Sequence, residues 1–164
     1  MKKHFGAVPN MTHPQLVERA VSWLRGQSCC VALSELRTYA DEIPDAVGWK
    51  AGKSILVECK VSRSDFSIDR LKSCRMRDYS IGMYRYYMVP HSLVSAEDVP
   101  DPWGLVYVGV GTRAYVAKQP VPVAERDLMA EILLLTSALR RIKGTCGVDE
   151  FDRLVKPGRR SNAE

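Results

Sequence analysis

The sequence predicts an α/β fold, a mixed β-sheet flanked by helices. Three observations carry this. Apolar periodicity switches along the chain from helical spacing to strand alternation and back. The element order is helix, three strands, helix, strand, two more strands, helix. The helix between the third and fourth strands is a crossover connection, which makes those two strands parallel neighbours.

Each element has its own signal. His13-Pro14 opens a helix whose face is Leu16, Val17, Ala20, Val21 and Leu24, and Gly26 ends it; proline suits the first helical position because its missing N–H has no partner there. CCVALSEL, from Cys29, reads as a strand, and Ile43 to Lys50 as a second. Ala51-Gly52-Lys53 is a turn, and Ser54 to Ser62 is the clearest strand. Ser64 or Asp65 then caps a helix running to about Met76. YRYYMV, from Tyr84, is strand-like, and a loop with three prolines follows from Pro90 to Pro102. Leu105–Val110 and Ala114–Ala117 read as a hairpin around Gly111-Thr112-Arg113. A last helix runs from about Ala124 to Lys143 with Leu128, Ile132, Leu135, Leu139 and Ile142 on one stripe. Glu125 and Asp127 at its start and Arg140, Arg141 and Lys143 at its end match the helix dipole. Residues 1–150 are expected to form one domain, and 151–164 a basic, flexible tail.

Composition narrows the class. At 164 residues the chain is long enough for one real core. No apolar run approaches the roughly 18 residues that span a membrane, and the N-terminus MKKHFGAVPN lacks the apolar core of a secretory signal. A cytoplasmic location is the expectation, that of the host if the chain is phage-encoded. Five cysteines, Cys29, Cys30, Cys59, Cys74 and Cys146, form no C-x-x-C pair, so a zinc or iron–sulfur centre is not indicated and free thiols are expected. His4, His13 and His91 share no spacing with each other or with a carboxylate. The net charge of +5 is compatible with a nucleic-acid partner without establishing one.

The stretch SILVECKVSRSDF carries the chemistry. Strand side chains alternate. Ile55, Val57, Cys59 and Val61 share an apolar face; Ser54, Leu56, Glu58, Lys60 and Ser62 share the other. The strand therefore reads as having one core face and one working face, with Glu58 and Lys60 about 6.5–7 Å apart on the latter. The preceding strand carries Pro44-Asp45 and returns through a short turn, which brings Asp45 toward Glu58. Two carboxylates supply hard oxygen ligands, suited to Mg²⁺ or Mn²⁺. A lysine beside such an ion suits phosphodiester hydrolysis. On this reading Lys60 carries little packing, and Lys60→Ala should spare the fold.

IPDAVGWKAGKSILVECK resembles the motif of the PD-(D/E)XK nuclease superfamily, with Pro44-Asp45 as its PD and Glu58-Cys59-Lys60 as its (D/E)-X-K. The resemblance covers roughly Pro14 to Val89, and VECKVSRSDFSIDR with YRYYMVP and WGLVYV looks like small phage and bacterial proteins of that superfamily. It implies a restriction-endonuclease-like core and a metal-dependent nuclease acting in DNA repair or recombination, with DNA as partner and RNA as an alternative. Asp45 and Glu58 would bind the metal, the Cys59 carbonyl would be a further ligand, and Lys60 would assist the attacking water. The family often adds an acidic residue; Glu18 and Glu35 are the candidates. Ser62 and Arg63 would contact phosphate, and Arg70, Lys72, Arg75 and Arg77 would form a basic stripe along the backbone. Dimeric and ring-forming relatives make a homo-oligomer an open expectation. The competing reading is a non-catalytic nucleic-acid-binding module that keeps the fold. Against it, two carboxylates facing a polyanion without a cation repel it.

Overall fold

The computed structural model describes residues 11–37, 43–69, 80–109 and 113–155. Among them the order is α1 (His13–Gly26), β1 (Val31–Ser34), β2 (Ala46–Lys50), β3 (Lys53–Cys59), α2 (Arg63–Asp69), β4 (Tyr84–Pro90), β5 (Gly104–Val108), β6 (Ala114–Lys118), α3 (Leu128–Cys146) and α4 (Val148–Val155). The strands form one mixed six-stranded sheet in chain order. β1, β2 and β3 are antiparallel neighbours. β3, β4 and β5 run parallel, and β6 returns antiparallel to β5. The parallel β3–β4 pair is the one expected from the intervening helix.

Local chemistry explains the elements nearest the site. In α1, Gln15 Oε1 accepts from the Thr12 amide at 2.9 Å, closing the first turn just before Pro14. Its buried face is Leu16, Val17, Ala20, Trp23 and Leu24. The β2–β3 hairpin turns on Ala51 and Gly52, both at positive φ, as a two-residue turn between twisted strands requires. Gly82, at φ +91°, lies where an added Cβ would come 2.6 Å from Leu56 Cβ; only glycine fits at this entry to β4.

The sheet has a core on each face, and this corrects the reading of β3. Val57, Cys59, Tyr86 and Met88 pack under α1. Leu56, Tyr87, Val89 and Leu105 pack with Phe66 of α2, Trp103, and Ala130 and Leu134 of α3. The alternation of β3 holds, but the face bearing Glu58 and Lys60 is covered too. The pattern of one strand records alternation; whether a second layer lies above it is decided elsewhere in the chain. The tyrosines of β4 are packing groups as well. Tyr86 meets Trp23 edge to face at 5.1 Å, and Tyr87 stacks on Trp103 at 4.5 Å.

Three further expectations differ. Ser62, not Ser64 or Asp65, caps α2: its Oγ accepts from the Asp65 amide at 3.1 Å. The expected continuation of that helix to Met76, and the loop at Gly111-Thr112, lie outside the described residues. Residues 148–155 are helical, so the expected domain edge at 150 falls inside α4. The apolar stripe of α3 is not its buried face. Ala130, Glu131, Leu134 and Ser137 face inward, while Leu128, Ile132, Leu139 and Ile142 are about half exposed.

Glu131 explains that rotation. It is 4% exposed, and its carboxylate accepts from Ser54 Oγ at 2.7 Å, the Gly82 amide at 3.0 Å, Trp49 Nε1 at 3.2 Å and Arg126 Nε at 3.1 Å. One side chain thus ties β2, β3, the entry to β4 and α3 together. Glu131→Ala should cost about 3 kcal/mol or more in urea unfolding, because it strands the buried donors and the Arg126 charge. Glu131→Gln, which keeps one acceptor oxygen, should cost less.

Candidate active site

β2 and β3 stop pairing at Ala46 and Val57. One step further along the same register, Asp45 stands opposite Glu58. Asp45 Oδ2 accepts from the Cys59 amide at 2.7 Å, so the carboxylate replaces a backbone acceptor where the ladder ends. On the other side, the Lys60 amide continues toward β4 by donating to the Met88 carbonyl at 3.0 Å. These two bonds fix the end of β3 and the directions of Glu58 and Lys60.

The Lys60 ammonium is the centre of the cluster. It lies 3.3 Å from Glu58 Oε2, 3.2 Å from Asp69 Oδ1 and 3.9 Å from Asp45 Oδ2. Glu58, Lys60 and Asp69 are 2%, 5% and 1% exposed. Asp45 is more open, and His13 Nε2 stands 3.3 Å from its Oδ1. The cluster thus reaches solvent on the Asp45–His13 side.

Two of these members were not legible in the spacing. Asp69 reads as one charge on a polar helix face, yet it lies three residues after Phe66 and shares its buried side. Phe66 packs edge to face on Tyr87 at 5.0 Å, and the Tyr87 hydroxyl donates to Asp69 Oδ2 at 3.2 Å. Tyr87 is also the register partner of Glu58. The i, i+3 relation of Phe66 and Asp69 was the available signal. His13, which shares no sequence spacing with a carboxylate, meets Asp45 because α1 begins over the end of β2.

Charge decides the protonation states. Burial disfavours the Lys60 ammonium, but Glu58, then Asp69 and Asp45, and a hydrogen bond to Asp69 outweigh it, so its pKa is raised above 10.5. Lys60 is a cation and a donor at neutral pH, not a proton acceptor. The Cys59 thiol is pushed well above 9.0, first by burial and then by Asp45 and Glu58, against Lys60. At neutral pH the thiol is held protonated. Both folded values lie above the unfolded ones, so the unfolded chain gives up these protons first and stability falls as pH rises. The fall should begin near pH 9.0 with Cys59 and steepen above 10.5 with Lys60. Urea midpoints compared at pH 8 and pH 10 should show it, and Cys59→Ala should shrink the difference.

The side chains of Asp45 and Glu58 offer hard carboxylate oxygens, the ligand type that Mg²⁺ and Mn²⁺ prefer. Among the described residues no group of three or more His, Cys, Asp or Glu side chains is placed to hold a metal alone. Mg²⁺ commonly takes only one or two carboxylates from the protein, the number that Asp45 and Glu58 could supply.

The other expected site residues have these surroundings. Glu18 and Glu35 line a pocket of about 390 Å³ with Pro14, Val17, Val21, Arg25 and Ser34. Glu35 touches Asp45 through backbone: its amide donates to the Pro44 and Asp45 carbonyls. Ser62 is committed to capping α2. Arg63 pairs with Asp98 at 3.0 Å on the surface. Arg70, Lys72, Arg75 and Arg77 lie outside the described residues.

No family model and no curated protein matches the chain. A solved structure, the SPO1766 protein of unknown function from Silicibacter pomeroyi, superposes with a TM-score of 0.62. It covers 83% of this chain and 92% of its own at 20% identity. Likeness at that identity shows the fold alone. No helix among the described residues is long and apolar enough to cross a membrane.

Proposed function

We propose that this chain is a Mg²⁺- or Mn²⁺-dependent nuclease with a restriction-endonuclease-like core, hydrolysing phosphodiester bonds in DNA. The observation that supports it most is the convergence of Asp45, Glu58 and Lys60 where β2 and β3 part. The pattern of PD followed by E-x-K falls on the positions that meet there. The two carboxylates of that pattern lie within 4 Å of the Lys60 ammonium, which supports the reading.

On this reading each residue has a role. Asp45 and Glu58, with the Cys59 carbonyl, would hold the divalent ion, which when bound acidifies water and offsets phosphate charge. Lys60 stays protonated and donates toward the attacking water or the phosphate oxygens, stabilising negative charge in a site shielded from solvent. Glu58 and Asp69 aim the ammonium, and Tyr87 aims Asp69. His13 orients Asp45. Asp69 and Tyr87 are positioning residues; neither touches the reacting atoms.

The test is cleavage of linear duplex, circular duplex and single-stranded DNA in Mg²⁺ or Mn²⁺, with EDTA as control. Metal-dependent cleavage supports the reading, and the substrate cut distinguishes end-directed from internal attack. Binding without cleavage under every condition would favour the non-catalytic module.

A further inference from the structure

Helix α3 has two apolar faces, and the sheet uses one. Ala130 and Leu134 pack inward, and Glu131 is tied there by hydrogen bonds. Outward run Leu128, Ile132, Leu135, Leu139, Ile142 and Cys146. Their spacing alternates four and three residues, the a and d positions of a heptad that seats one helix against another. A helix that only covers a sheet is polar on that side. Here Leu128, Ile132, Leu139 and Ile142 are between 47% and 53% exposed. α4 follows at once and adds Val148, Leu154 and Val155, each more than half exposed.

We propose that this chain pairs with a second copy of itself through the outer face of α3, the two helices running antiparallel about a two-fold axis. The spacing requires a helix with the same repeat, and among the described residues α3 is the helix that carries it. A two-fold axis presents the same patch from both copies, so the seam is its own complement. Charge sets the direction. Glu125 and Asp127 mark the start of α3, and Arg140, Arg141 and Lys143 its last turns. Antiparallel pairing brings each acidic start toward the partner's basic end and opposes the helix dipoles favourably. A stable interface buries roughly 800 Å² per partner, and the large apolar side chains that α3 and α4 leave about half exposed or more are available to it.

Light scattering on the full chain across a hundredfold concentration range tests this. The expected mass is twice 18.4 kDa, with dissociation only at the dilute end. Ile132→Glu with Leu139→Glu should give a folded species of 18.4 kDa, since both side chains already meet solvent in the single chain. Ile142→Glu alone provides the same reading if the pair does not fold. Arg140→Glu with Lys143→Glu should weaken pairing at least severalfold at low salt, and Glu125→Lys should restore it. A wild-type chain monomeric throughout, or a dimer untouched by the seam variants, overturns the proposal. Tighter pairing on charge reversal overturns the antiparallel direction.

Discussion

Glu58→Gln is expected to reduce metal-dependent DNA cleavage at least about a thousandfold, since ~4 kcal/mol of lost transition-state stabilisation is three decades in rate. Glutamine keeps the shape of Glu58 and one acceptor oxygen, so the change is close to charge alone. Glu58 is 2% exposed and one of three carboxylates around a single ammonium. Neutralising it leaves Asp45 and Asp69 on Lys60. The cluster then has less uncompensated negative charge, and the folded state should keep its melting temperature or gain slightly without metal. The same substitution removes one of the two carboxylates proposed to hold a divalent ion. Wild-type protein should therefore melt higher when Mn²⁺ is added, and Glu58→Gln should lose most of that increase. The melting shift reports the metal site even if the right DNA substrate has not been found. Cleavage at the wild-type rate by Glu58→Gln would remove Glu58 from the chemistry.

Much of the scaffold around this site was legible. Pro14 and Gly26 bracket α1, and the alternation of Ile55, Val57 and Cys59 places them on one face. The crossover through α2 makes β3 and β4 parallel. Such features follow from local periodicity and end signals. The hairpin through Ala51 and Gly52 also delivers Asp45 beside Glu58, because a two-residue turn sets the register of everything behind it. What could not be read were choices between equivalent partners. α3 has an apolar stripe and a mixed face, and periodicity favours the stripe as the buried one. The four donors awaiting Glu131 reverse that choice, and they come from β2, β3, the residues before β4 and Arg126. Asp69 and His13 were missed for the same reason. Each meets its partner across a layer of the fold, through contacts that no spacing within one element encodes.

The burial of Lys60 reverses the expectation that its loss spares the fold. Lys60→Ala is expected to destabilise the protein by about 3–5 kcal/mol, the usual cost of removing one partner from a buried charge group. The ammonium lies within 4 Å of Asp45, Glu58 and Asp69. Without it, two nearly inaccessible carboxylates and a third at the edge repel one another in a medium of low dielectric constant. Lys60→Met separates charge from volume: it restores much of the apolar stem and should remain almost as unstable if charge is the cause. A divalent ion offers replacement charge. Mn²⁺ should therefore stabilise Lys60→Ala more than it stabilises wild type, because in wild type the ion shares the carboxylates with an ammonium already present. Urea unfolding of wild type, Lys60→Ala and Lys60→Met, with and without Mn²⁺, measures each term. A Lys60→Ala midpoint equal to wild type without added ion would mean that the ammonium does not balance the cluster. Recovery of Lys60→Ala stability by Mn²⁺ with cleavage still lost would separate two roles of one lysine: counter-charge to the carboxylates, and donor to the reacting phosphate.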